Sequence, residues 1–569
     1  MGPQLSMSAN LELLGLLVEH LALTALPAAL AVFVAMRRGL RNLPLLLAIA
    51  LAVSGATAML AFWAFYADPL IGQVVAFVVV LGSIQGIVLA RPDRLDRAVL
   101  RQLATPAALW ALGSAFVLYL GFLHGGADQP LAVATTRFSH QLPTDNEIPL
   151  FFADWFFDRG SGVGPPSFAP LFGDWLSSDR PPLQIGYVLA QRPFGWDGDG
   201  LHYQVLGVVV QQLWIVGMWA VLCAARLRPL ARGLAILAAM VSDIAIVHGF
   251  FVWPKLIAAA FILGALAMVL SEDWPRLRSS PYAAILFAAL CALALLAHGA
   301  SAFGILPLLL VAALRGLPTW RWLGIAALVG IVLLGPWTAY QRFADPPGDR
   351  LVKWQLGGSL AIDERGALET IVDGYREEGV DGTLANKWGN VTKLVGQGDV
   401  EGAFAGAADR IEEGDAGEAL TALRLPRFFS LLPLLGILLV APVAMLVARL
   451  RGPRDGPEWR FALLSFGYCA LAAATWALLM FGNPESPTLI HVGTLTLPLL
   501  AICACVAGAY AVDPRLAVGM VGLNALLVLI LYLPALTPQP GTSYSASAAV
   551  LAAISLAAFA AVALRKASP

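Results

Sequence analysis

The residues with the most chemistry to offer sit close together in one polar stretch, His140-Gln141-Leu142-Pro143-Thr144-Asp145-Asn146-Glu147-Ile148-Pro149. Asp145 and Glu147 are two residues apart and run into the apolar aromatic stretch 150–157, which places both carboxylates at the edge of an interfacial helix. A carboxylate shielded there from bulk water can take a proton from a hydroxyl or hold a divalent cation such as Mg or Mn. A purely local alternative stands beside this: Thr144 or Asp145 caps the helix and Glu147 sits in its first turn. About thirty residues further on come Gly173-Asp174-Trp175 and then Asp179-Arg180-Pro181-Pro182-Leu183.

Cations that could face a phosphate are spread along the chain. Lys255 follows Phe250-Phe251-Val252-Trp253-Pro254 and interrupts two apolar runs, and a lysine at that depth must face protein, water or a headgroup phosphate. Snorkelling beside an aromatic belt is the other use of such a residue. Arg342, Arg350 and Lys353 surround Asp345-Pro346-Pro347, and His491 follows Pro484-Glu485-Ser486-Pro487. Asp197-Gly198-Asp199-Gly200 has the spacing of a metal pair, but its glycines fit a tight turn into the next helix. Asp243 and the pair Glu19-His20 fall inside apolar runs and read as structural. The five cysteines lie in apolar segments without His or carboxylate neighbours, so neither a disulfide framework nor a zinc site is expected.

The elements that must position these groups follow from composition. Of 569 residues, 59% are apolar and 13% charged, with mean hydropathy +0.76, which excludes a water-soluble globular chain. Apolar runs long enough to cross ~30 Å of hydrocarbon as helices fall near 12–36, 44–66, 70–90, 106–124, 203–225, 233–251, 255–270, 282–299, 302–314, 323–340, 429–448, 461–481, 489–511, 514–533 and 545–564. The expected fold is an all-α polytopic membrane protein with about 13–15 transmembrane helices and two long external loops. It divides into an N-terminal four-helix membrane module (1–124), an external catalytic loop with interfacial helices (125–202), and central membrane helices (203–340). An external acidic loop or small subdomain (341–428) and C-terminal membrane helices (429–569) complete it.

Short loops on alternate connections hold 21 Lys/Arg against 7 Asp/Glu, and the opposite side holds 15 against 27. The positive-inside rule makes the first side cytoplasmic, with the N-terminus outside and the C-terminus inside. The start of the chain lacks the basic region of a secretory signal, so its first apolar stretch is expected to remain as a helix. A net charge of −1 gives no basic field for nucleic acid, and no phosphate-binding glycine loop is present.

In order and spacing, Asp145 and Glu147 followed by Arg180-Pro181-Pro182-Leu183 resemble the GT-C membrane glycosyltransferases, most closely the branch of lipid A aminoarabinose transferases and protein O-mannosyltransferases. Those enzymes carry an acidic residue in an early external loop and a basic-Pro-Pro-Leu-type element later in it. The resemblance covers roughly residues 140–200 and the general helix-and-loop plan. It departs in having four helices before the acidic loop and a large second loop within the membrane region.

The resemblance implies transfer of a sugar from a polyprenyl-phosphate donor to a glycan or glycolipid acceptor at the outer face of the cytoplasmic membrane. Asp145 would be the base and Glu147 the alternative base or metal partner. Arg180, Lys255, Arg350, Lys353 and His491 would face the donor phosphate, and His140, Asn146, Asp174, Trp175, Asp179, Pro181 and Pro182 would line the substrate loop. Competing readings are a transporter or flippase of lipid-linked saccharides, which needs polar residues near the bilayer midplane, and an oligosaccharide ligase or polymerase, whose loop would be rich in Arg and His.

Overall fold

Local stop signals set the ends of the helices. Asn42 accepts a hydrogen bond from the Leu45 amide and starts Leu43–Ala67, and Asp68 takes the Leu70 and Ile71 amides and starts Pro69–Ala90. Asp96 does the same for Arg97–Gly121 and Thr319 for Trp320–Ala339. Each supplies an oxygen to amides that have no partner within the helix. The computed structural model describes residues 7–92, 95–138, 142–160, 176–195, 200–482, 495–532 and 544–565, and within these every regular element is helical, with no strand.

Ten helices are long and apolar enough to cross a membrane, or eleven when the bent pair Pro229–Met240 and Asp243–Phe251 is one span. Four shorter apolar helices, Lys255–Leu270, Pro281–Ala297, Gly299–Leu314 and Thr496–Val512, join them. The chain is therefore an all-α, polytopic membrane protein, and each of the fifteen apolar runs of the sequence corresponds to one of these segments.

Two segments form the middle of the bundle. Lys255–Leu270 is buried along its whole length, and Gly200–Ala224 is enclosed in the same way. Leu43–Ala67 packs on Leu183–Gln191, on Trp214–Ala224 and on Lys255–Leu270, so the N-terminal helices share the core with the central ones. Close approach depends on small residues: a Cβ on Gly186 would stand 2.2 Å from the Ala58 carbonyl oxygen, and one on Gly217 would stand 2.6 Å from that of Ala260. At the periphery, Pro69–Ala90 exposes Leu70, Val74, Val78, Leu81 and Val88, and Trp320–Ala339 exposes Leu328, Ile331 and Val332. Apolar faces this continuous belong against lipid tails.

The run expected at 233–251 is broken by 55° at residues 241–242. Ser242 caps the second half through the Ala245 amide, and Asp243 turns to Arg427 in the second long connection. Local capping and a distant cation together cost the run its straightness. The second connection carries the helical segments Ala367–Val395, kinked at Gly379 where φ is 65°, and Asp399–Glu412. The two long connections meet: Arg350 reaches Asp179, and Asp345 accepts from Ser177 and from the Ser178 amide at 3.0 Å.

Candidate functional site

Asp145 stands in a short 3-10 turn, Thr144–Glu147, that leads into the helix Ile148–Arg159. No side chain of this turn caps either element, so the capping role that local sequence allowed for Thr144 or Asp145 is not what these residues do. Instead, one Asp145 oxygen, Oδ2, accepts from Arg180 Nη2 at 3.3 Å. The other, Oδ1, is buried and has no hydrogen-bond partner among the described residues. A buried acceptor without a donor is costly, and a site that retains one holds a place for a proton donor.

The backbone under Asp145 is fixed by a ladder of neutral polar groups. Tyr203 donates its hydroxyl to the Asn146 carbonyl at 2.7 Å, and Gln184 Nε2 donates to Tyr203 at 2.8 Å and to the Val252 carbonyl at 2.6 Å. Gln211 Nε2 reaches Gln184 Oε1 at 3.4 Å, while Gln211 Oε1 accepts from the Leu256 and Ile257 amides, both at 3.1 Å. Those two amides are among the unsatisfied donors at the start of Lys255–Leu270, so an amide side chain from another helix caps it. The ladder thus couples the first loop to the turn Trp253-Pro254 and to the position of Lys255. Val252 there takes the left-handed conformation, with φ of 57°.

Arg180 is oriented from two sides. Its guanidinium lies 4.8 Å from the Trp253 ring centre, and its turn, Ser177–Asp179, is held by the opening of the second connection. Tyr340 and Asp345 both bond Ser177, and Gln341 Nε2 donates to the Ser178 carbonyl at 2.9 Å. Lys255, 4% exposed, is electrostatically coupled to Asp145 and to Arg180.

His298, which follows the helix Pro281–Ala297, feels the charges of both Lys255 and Arg180. Its Nδ1 accepts from the Ala300 amide at 3.2 Å, which leaves Nε2 carrying the hydrogen. Burial, followed by the neighbouring Lys255 and Arg180 cations, holds its pKa well below the ordinary value, so the ring is neutral. One carboxylate, two cations and one neutral imidazole donor therefore come together from four separate parts of the chain.

The remaining sequence candidates fall into three groups. Asn146 is buried beneath the site, donates to the Leu131 carbonyl at 3.4 Å and takes the Tyr203 hydroxyl on its own carbonyl. Glu147 is half-buried, and burial raises its pKa. Pro182 precedes the first residue of Leu183–Gln191, with Pro181 between it and Arg180.

Asp179 and Arg350 face each other at 3.5 Å, both nearly inaccessible. Burial raises the Asp179 pKa, against the Leu176 amide and Arg350, which lower it. Lys353 is committed to its own loop, at 3.1 Å from Asp349 and 3.2 Å from Asp363, and Arg350 Nε donates to the Leu360 carbonyl. These two cations brace the second connection, and Arg342 is exposed. His140, Asp174, Trp175, Asp197, Asp199 and His491 lie outside the described residues. Among the described residues, no three His, Cys, Asp or Glu side chains converge as a metal cage.

The sequence reading missed His298, Gln184, Tyr203 and Gln211. The signal for the glutamines was present, since Gln204, Gln211 and Gln212 interrupt an apolar helix where an amide must find a partner. His298 gave no such signal, because only folding brings it beside Lys255. No family model, no curated protein and no solved structure matches this chain.

Proposed function

We propose that this protein is a membrane glycosyltransferase that moves a sugar from a polyprenyl-phosphate donor to a hydroxyl of a glycan or glycolipid acceptor at the external membrane face. The observation that carries the reading is Asp145, whose buried, unpartnered Oδ1 lies beside two cations at the end of the bundle where both long connections meet. The acceptor hydroxyl gives its proton to Oδ1 as its oxygen bonds to the anomeric carbon, and the bond from that carbon to the phosphate oxygen breaks with inversion. The electron pair leaves with the polyprenyl phosphate. Arg180, Lys255 and the Nε2–H of His298 receive that negative charge in a region shielded from water, where fixed donors act most strongly.

In lipid nanodiscs with a polyprenyl-phosphate sugar, Asp145→Asn should lose transfer by roughly 10²–10⁴-fold while the purified variant keeps its elution profile and melting temperature. Full transfer by that variant would remove the base and with it this reading.

A second reading, translocation of lipid-linked saccharides, is favoured by the 55° break before Asp243, because a broken helix bearing a carboxylate is a feature of transporters. Against it, both oxygens of Asp243 are already bonded by Arg427, at 2.8–3.2 Å, and Oδ1 also takes the Tyr532 hydroxyl at 3.0 Å. Movement of a labelled donor across protein-containing vesicles without transfer would favour translocation.

A further inference from the structure

A second group of cations forms no ion pair with Asp145 among the described residues and serves none of the roles above. Arg137 follows the helix Pro130–Thr136 in the first long connection, and Arg424 lies in Ala416–Phe429 at the end of the second. Both are buried, at 5% and 1% exposed. His124, in the turn after Arg97–Gly121, is 6% exposed and feels the charge of Arg137. The helix Asp243–Phe251 packs on both Pro130–Thr136 and Ala416–Phe429, and Tyr532 links the two sides, its ring 5.4 Å from that of Phe138 and 5.6 Å from the Arg424 guanidinium.

Charge in this region does not balance. The one buried carboxylate in it among the described residues, Asp243, is saturated by Arg427 and Tyr532. Arg424 spends Nη2 on Thr421 at 2.8 Å and Nη1 on the Leu531 carbonyl at 3.4 Å, but its Nε is buried with no partner. Asp243 and the exposed Glu418 act on Arg424 only at longer range. Arg137 forms no ion pair among the described residues, and both ring nitrogens of His124 are buried and unbonded. The stretches that directly follow Phe138 and Tyr532, residues 139–141 and 533–543, contain no Asp or Glu. Burial and repulsion from Arg424 push the Arg137 pKa down to about 9, and burial, then the Arg137 charge, push His124 down to about 4.

We propose that His124, Arg137 and Arg424 form a second anion site that binds a phosphate ester presented at the membrane surface. Guanidinium groups desolvated in this way favour a tetrahedral oxyanion, which can take the Arg424 Nε–H, the Arg137 fork and one imidazole N–H at once. The membrane offers that chemistry from two sources, an acidic phospholipid headgroup or the phosphate of a polyprenyl carrier. The site is independent of the Asp145 reading, since none of its three residues belongs to that cluster.

The test uses the full-length protein in phosphatidylcholine nanodiscs. One arm adds polyprenyl phosphate, the other raises the phosphatidylglycerol fraction, and the unfolding temperature is read in both. The expected result is a saturable rise in at least one arm, weakened about tenfold or more in apparent affinity by Arg137→Gln and by His124→Gln, and retained in Lys255→Ala. The arm that responds identifies the source. A rise of unchanged midpoint in both Arg137→Gln and His124→Gln, or no rise in either arm for the unaltered protein, would overturn the proposal.

Discussion

Arg180 and Lys255 are held in different ways, and this decides what each can do. The guanidinium is fixed in plane by the Trp253 ring and by Asp145, whereas the ammonium stands at the first residue of a buried helix. Arginine gives direction and lysine gives a point charge that can follow a moving phosphate. Lys255→Ala should therefore raise the KM for donor by roughly ten- to a hundredfold, the worth of one charge-assisted hydrogen bond, with little change in KM for acceptor. Equal losses for both substrates would indicate a folding defect instead. Arg350 and Lys353 carry the same formal charge, yet their partners Asp179, Asp349 and Asp363 already occupy them. For phosphate binding, a cation's commitments matter as much as its presence.

Single elements transmit position to the site. Gln211 caps the helix that starts at Lys255, and replacing it with leucine would leave the Leu256 and Ile257 amides buried without an acceptor. Gln211→Leu should destabilise the protein by about 1–3 kcal/mol, read as a lower unfolding temperature, and should weaken donor binding because Lys255 loses its anchor; an unchanged unfolding temperature would show that the cap is dispensable. In the helix Ile148–Arg159, burial pushes the Asp154 carboxyl up to about 6 although Arg192, 3.0 Å away, pulls it down. The folded chain thus holds this proton more tightly than the unfolded chain does. The stabilising contribution of Asp154 is complete below the ordinary value of 3.8 and is lost as pH rises through about 6. The unfolding temperature of the unaltered protein relative to Asp154→Asn should accordingly fall between pH 4 and pH 7, and a difference independent of pH would contradict this.

At the scale of the whole molecule, the proposed function requires both long connections outside the cell, the orientation expected from the imbalance of basic residues between the two sets of loops. Glu377 is exposed in the second of them, and Glu377→Cys should react with a membrane-impermeant maleimide on intact cells; reaction only after permeabilisation would invert the orientation. The order and approximate limits of the apolar helices were legible in the sequence, because apolar length and composition belong to each segment alone; among the described residues ten or eleven segments, fewer than the expected 13–15, are long enough to cross a membrane. The polar stretch around Asp145 and the basic turn at Arg180 were legible for a similar reason, since charges near apolar runs stand out locally. Which cation meets which carboxylate was not. Lys255 comes to Asp145, and His298 to Lys255 and Arg180, from far along the chain, Arg350 turns to Asp179, and Asp243 pairs with Arg427. A buried charge takes whatever partner the packing of distant helices brings within reach, and that choice is made by the tertiary fold, since no local segment contains both members of the pair.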